Sequence, residues 1–161
     1  MDRRNLAASA GLVVWTTPPG AREWAAALAR VNPATVCLFA QDPGIDTLTS
    51  FLPRLAGLVK HALRAKGGRA EYADLAAAMA SREEAVRLGL LWLAAAGHVR
   101  IADEDVTGLW LAREEPAVAS GPAPLLPGED PSLLRRRLAD LLAETAAYRR
   151  YFRQAKVVPM P

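Results

Sequence analysis

The stretch that most constrains this chain is Leu88 to Ala96, nine residues without a charged or hydrogen-bonding group except the Trp92 indole. Ser81 followed by Glu84 has the spacing of a capping box, which starts a helix. Gly97 sits where a left-handed C-terminal stop is expected. From Leu88 onward the helix so bounded, residues 82–96, is apolar all round. Such a helix is buried or has a partner on its outer side. Just upstream, Tyr72 to Ala80 reads as a shorter helix. Just downstream, Val99–Ala102 and Leu109–Ala112 read as strands joined through Asp103-Glu104-Asp105, acids most simply solvated at a tip. Preceded by a helix over 51–66, this order predicts a winged-helix unit across residues 51–115.

The flanking segments complete an α+β, mainly helical chain. Residues 1–10 read as a polar leader, because the apolar run after them is too short for a signal peptide and meets turn residues instead of a cleavage site. Leu12–Trp15 is a β-rich run closed by Thr16-Thr17-Pro18-Pro19-Gly20. Ala21–Val31 is a helix with Trp24, Leu28 and Val31 on one stripe, stopped by Asn32-Pro33. Thr35–Ala40 is apolar throughout, as in a sheet covered on both faces, with Cys37 an inert core thiol. Strand, helix and strand make a βαβ unit over 11–50. Its first turn lacks a glycine series, and its prolines remove backbone donors, so it is not a nucleotide site. Gln41–Ser50 is a loop. In the helix over 51–66, Pro53 fits the first turn and Leu52, Leu55, Val59, Ala62 and Leu63 form the buried stripe. Residues 116–131 read as a linker. Asp130-Pro131 then caps a long C-terminal helix within 132–161, with Leu134, Leu138, Leu141, Thr145, Tyr148 and Phe152 on its packing stripe. Together these form one compact domain: a βαβ unit packed on a winged-helix unit and closed by the long helix.

Charge is unevenly placed. Residues 132–161 carry seven basic groups against two acids, a balance of +5, whereas residues 1–131 balance at −2. Residues 51–69 hold five basic side chains and no acid. Two basic segments on a near-neutral body suit an anionic partner, protein or nucleic acid. No run reaches the roughly eighteen apolar residues of a membrane helix. The single cysteine forms no internal disulfide and fits a reducing cytoplasm.

Catalytic patterns are absent from the sequence. His61 and His98 have no neighbours at metal-ligand spacing, the acids form no two-cation cluster, and there is no GxSxG elbow or cysteine beside a base. The expectation is a chain that is not an enzyme by itself, with no catalytic residue, metal or cofactor. A duplex-reading helix needs several polar side chains, but 82–96 offers Arg82 and Arg87 only, and an acidic wing repels phosphate. An apolar helix beside a basic one better suits a peptide with apolar and acidic residues. The alternative is a winged-helix nucleic-acid-binding domain.

The order of elements resembles a known family. Leu12-Val13-Val14-Trp15 with Pro18-Pro19, Thr35-Val36-Cys37-Leu38-Phe39, Phe51-Leu52-Pro53-Arg54, the 72–112 stretch and Leu141-Leu142-Ala143-Glu144-Thr145-Ala146-Ala147-Tyr148-Arg149 resemble the carboxy-terminal domain of RecJ-type exonucleases, most of all their Deinococcus-like branch. The resemblance covers roughly residues 8–156. It implies an accessory domain of a DNA repair and recombination enzyme, a metal-dependent 5′–3′ exonuclease whose catalytic motifs lie in other domains and whose chain would continue upstream of Met1. The implied partners are the rest of the nuclease in cis and the acidic, phenylalanine-ended tail of the single-stranded DNA-binding protein SSB, with single-stranded DNA met indirectly and no membrane. Such a tail needs an apolar pocket, an arginine for its carboxylate and a basic rim. Three sets of residues are candidates: Arg54, Lys60, Arg64 and Arg87 with Leu91; Arg149, Arg150 and Arg153 with Tyr151; and Arg22 with Trp24.

Overall fold

A computed structural model describes residues 5–112 and 130–155. It is an α+β fold, mainly helical, with two small sheets and a long C-terminal helix. The linker expected over 116–131 lies outside the described residues apart from Asp130 and Pro131. Most of the leader and the tail beyond Ala155 do so as well.

The N-terminal part is β1 (Gly11–Thr16), α1 (Ala21–Val31) and β2 (Thr35–Gln41), with the strands parallel. Asn32 ends α1 in the left-handed conformation at φ 47°, its N–H donating to Leu28 O. Asn is one of the few residues that adopts this conformation readily, and Pro33 forbids continuation. Val13 pairs with Cys37, and the register shifts beyond Val14. This sheet has two strands. Leu12 and Val14 are half-buried, while Val13, Trp15, Cys37 and Phe39 are exposed. The expectation of a second strand covered on both faces, with Cys37 in the core, is therefore corrected: Cys37 is exposed.

The second part runs α2 (Leu48–Ala65), β3 (Arg69–Glu71), α3 (Tyr72–Ala78), α4 (Glu83–Ala95), β4 (Arg100–Glu104), β5 (Gly108–Ala112) and α5 (Pro131–Gln154). Its sheet is antiparallel in the order β3-β5-β4. α2 begins a turn earlier than its proline suggests, because Thr47 caps it by accepting from the Ser50 N–H. Pro53 thus lies inside the helix instead of in its first turn. β3 is too short for a periodic signature. Gly68, at φ 87°, allows it to lie against β5, since a Cβ there would strike the Leu111 carbonyl.

α4 is the centre of the fold. Ala85, Val86, Leu88, Gly89, Leu90 and Leu93 are buried, and its neighbours are α5, α3 and α2. The expected capping box does not form. Arg82 is the N-cap, without a side-chain cap bond, and Ser81 is buried. The C-terminal stop does form: Gly97 takes φ 73° and the His98 N–H donates back to Leu93 O. The outer side of α4 is covered by α5, whose Leu134, Leu138, Leu141, Leu142 and Thr145 are buried. A Cβ on Gly89 would lie 2.6 Å from Leu55 Cδ2 and 3.0 Å from Phe51 Cε1, so α2 and α4 cross closely there. Asp130 caps α5 by accepting from the Ser132 N–H, ahead of Pro131.

Candidate functional site

The cations singled out from the sequence fall at separate places. On α2, Lys60 and Arg64 are exposed, while Arg54 donates to the Ala78 carbonyl at the end of α3. Arg87 is engaged elsewhere: it donates to Glu104 Oε1 at 3.1 Å and lies 4.7 Å from the Tyr72 ring centroid. The Tyr72 hydroxyl donates to the same Glu104 oxygen at 2.6 Å. Burial, then this bond to a carboxylate, pushes the Tyr72 hydroxyl up to about 12. Leu91 is half-buried against the core. This set therefore forms no shared apolar pocket with a basic rim.

The second set is split by the helix that carries it. Arg149 is buried at 1% exposure and donates to Asp46 Oδ1 at 2.7 Å and to the Ala80 carbonyl. Burial raises the Asp46 carboxyl above its ordinary value, and the Arg149 charge opposes that rise. Ala80 holds φ 46°, uncommon for a residue with a Cβ, in the turn between α3 and α4. Arg149 thus ties α5 to that turn and to the loop before α2, and its place in the partner-binding set is corrected. Arg150 and Tyr151 face solvent, and Arg153 pairs with Asp42 at 3.3 Å.

The acids of the β4–β5 turn are not merely solvated. Asp105 Oδ1 accepts from the Thr107 N–H, the Thr107 hydroxyl and the Gly108 N–H, and Arg69 reaches its other oxygen at 3.1 Å. Those donors, the Thr107 hydroxyl foremost, hold its carboxyl well below the usual carboxylate range. The Arg69 guanidinium also stacks 4.0 Å from the Trp110 ring centroid.

The third set opens onto a cavity, with one member of it turned away. A cleft of about 810 Å³ lies between α1 and the start of α4. Arg22, Ala26 and Arg30, spaced by four, line it from α1, with Glu23 and Ala27 beside them. Ala73 of α3 and Arg82, Glu83 and Glu84 at the start of α4 line the other side, and Leu6 also borders it. Arg82 fixes this wall by donating to the Pro19 carbonyl at 3.0 Å and to Glu144 at 3.4 Å. Gly20 gives it room, since a Cβ there would sit 3.1 Å from Arg82 Nε. Arg22 and Arg30 are exposed, and among the described residues neither makes an ion pair. Trp24 points elsewhere and packs edge-on against Phe152 of α5, centroids 5.4 Å apart.

The cleft can hold an anionic group on two guanidinium groups above a floor of small apolar side chains. Its lining contains no His, Cys, Ser or Thr; its titratable side chains are Arg22, Arg30, Arg82, Glu23, Glu83 and Glu84. Among the described residues no group of three or more His, Cys, Asp or Glu could hold a metal ion. No helix among them is long and apolar enough to cross a membrane. Of this lining only Arg22 was singled out from the sequence as a partner residue; Arg30, two turns further along the same helix, was missed. The opposing wall was missed too, because it comes from residues some fifty positions away. Comparison with family models, curated proteins and solved structures finds no match for this chain.

Proposed function

We propose that this chain is a non-catalytic protein-interaction module, accessory to a RecJ-type exonuclease of the cytoplasm, that docks the acidic, phenylalanine-ended tail of SSB. Its scaffold is read as a winged-helix unit on the order α2-β3-α3-α4-β4-β5 and the strand order β3-β5-β4. The observation that carries the docking reading is the α1 cleft, where Arg22 and Arg30 flank Ala26 across a small-residue floor. A terminal carboxylate would pair with one arginine and the preceding aspartates with the other, against the repulsion of Glu23 on the same wall and of Glu83 and Glu84 opposite. An aromatic end would lie on the alanines. The exonuclease context rests on the sequence resemblance.

A duplex-reading role is less well supported. The side of α4 that would enter a groove is covered by α5, Arg87 is committed to Glu104, and the turn between β4 and β5 is acidic. Exposed Arg135 and Arg136 on α5 favour the nucleic-acid alternative. Fluorescence anisotropy with a labelled acidic, Phe-ended peptide tests the first reading. Binding in the micromolar range is expected, lost on removal of the Phe and weakened at least about tenfold by Arg22→Glu with Arg30→Glu. Absence of binding at low salt rejects it. A salt-dependent gel shift abolished by Arg135→Ala with Arg136→Ala would favour the alternative.

A further inference from the structure

The α1 cleft is charge-sorted across its width. Arg22 and Arg30 lie on the α1 wall, and Glu83 and Glu84 on the wall made by the start of α4. All four are exposed. Glu23, half-buried, adds a third carboxylate next to Arg22. Arg82 lines the cleft too, but its guanidinium is engaged by the Pro19 carbonyl and by Glu144. The lining thus carries three arginines and three glutamates, and it offers an anion no net attraction. With Arg82 already paired to Glu144, which is not part of the lining, the acids outnumber the cations left to a ligand. Such a cleft discriminates by where a ligand carries its charge, not by how much it carries.

We propose that Glu83 and Glu84 are the specificity-determining residues of this cleft: they admit an extended peptide with its acids along one edge and turn away a phosphodiester strand. This selectivity rests on the peptide-docking reading for its first half only. In an extended peptide successive side chains point to opposite sides, so acids at alternate positions all meet Arg22 and Arg30 while the others face the α4 wall. A single-stranded nucleic acid has no such choice. It carries a negative charge at every nucleotide, and cations are its main attraction. Laid between the walls, its phosphates meet three carboxylates, and like charges set across an interface oppose binding. Glu83 and Glu84 also favour the first turn of α4 electrostatically, so ligand choice, not stability alone, is the property to measure.

Fluorescence anisotropy on the whole chain, at about 50 mM salt, compares two probes: a labelled acidic, Phe-ended peptide and a labelled oligothymidylate of about ten nucleotides. Glu83→Gln with Glu84→Gln keeps the side-chain shape and removes the charge. This variant should bind the oligothymidylate at least about tenfold more tightly than the native chain does, and the peptide no more than about threefold more tightly. Adding Arg22→Gln and Arg30→Gln should abolish the gain. Adding Arg135→Gln and Arg136→Gln instead, the same change in net charge placed on exposed positions of α5, should leave it. Far-ultraviolet circular dichroism checks that each variant is folded. Should the double glutamine variant unfold, Glu84→Gln alone should gain about threefold for the oligothymidylate. An oligothymidylate affinity that the glutamine variants leave unchanged overturns the proposal. So does a gain that survives the loss of Arg22 and Arg30, that is lost with Arg135 and Arg136 instead, or that is equally large for the peptide. A native chain that fails to bind the peptide, yet gains the oligothymidylate on the glutamine substitutions, sinks peptide docking and leaves the exclusion of phosphodiester strands standing.

Discussion

The βαβ unit and the helical unit that follows it are both rich in apolar residues, yet one is open and the other closed. Among the buried apolar residues of the connected core, none comes from β1, α1 or β2. The loop before α2 supplies Ile45, and the elements from α2 onward supply the rest, to Leu142. β2, apolar from Val36 to Ala40, is largely exposed, whereas α4 buries Ala85, Val86, Leu88, Gly89, Leu90 and Leu93. An apolar run therefore states that a surface needs cover without stating who provides it. For α4 the cover is α5, joined after a long interval of sequence; β2 stays largely exposed among the described residues.

This contrast predicts unequal mutational costs. The largest belongs to Arg149→Ala, which leaves Asp46 in a half-dry site without its partner and removes the donor to Ala80. A loss of about 3–5 kcal/mol is expected in urea unfolding. Arg149→Met with Asp46→Leu should recover part of it, since removing both charges avoids the orphaned carboxylate. A loss under ~1 kcal/mol would show that α5 does not depend on this tie. Leu138→Ala comes next. Leu138 is fully buried between α4 and α5, and truncation there should cost about 2–5 kcal/mol.

Gly89→Ala separates propensity from packing. In an exposed helix the change would stabilise by about 1 kcal/mol. At Gly89 the new methyl must displace the Leu55 and Phe51 side chains. Net destabilisation of about 1–2 kcal/mol is expected in a thermal melt. In the open unit, Trp15→Ser should cost no more than ~1 kcal/mol in dilute protein, the worth of one exposed aromatic pair. A cost as large as that of Leu138→Ala would mean that the two units fold as one core and that the contrast drawn between them fails.

Much of this architecture was legible because its boundaries are made by residues with one physical role. Gly20 and Asn32-Pro33 delimit α1, Gly97 stops α4, and Asp130-Pro131 opens α5. Errors arose where a residue had two uses. Pro53 is tolerated in a first turn and also beyond it, so Thr47, the true cap, passed unnoticed. Arg149 lies four residues past Thr145 on the buried stripe, and its position on that helix face was readable. Its partner Asp46 was not, being 103 residues away. The cleft followed the same rule, with one wall periodic and the other tertiary.

The last expected effect is local and lies at the edge of the closed unit. The β4–β5 turn projects from the core, and Val106 at its tip is 94% exposed. What orders the turn is the ionised Asp105 carboxylate accepting from Thr107 and Gly108. Its folded-state pKa is depressed, so its contribution is present above the unfolded value and is lost only as pH falls through the lower folded one. Amide exchange at Thr107 and Gly108 should therefore stay slow, after correction for intrinsic rates, from pH 7 down to about pH 4, the ordinary carboxylate range. Asp105→Ala should speed exchange at both amides across that range while leaving core amides of α4 unaffected. Protection lost in the native chain near pH 4 would show that the carboxyl titrates in the ordinary range, and protection that survives Asp105→Ala would show that the turn is held by the β4–β5 ladder instead and that the closed unit extends to its tip.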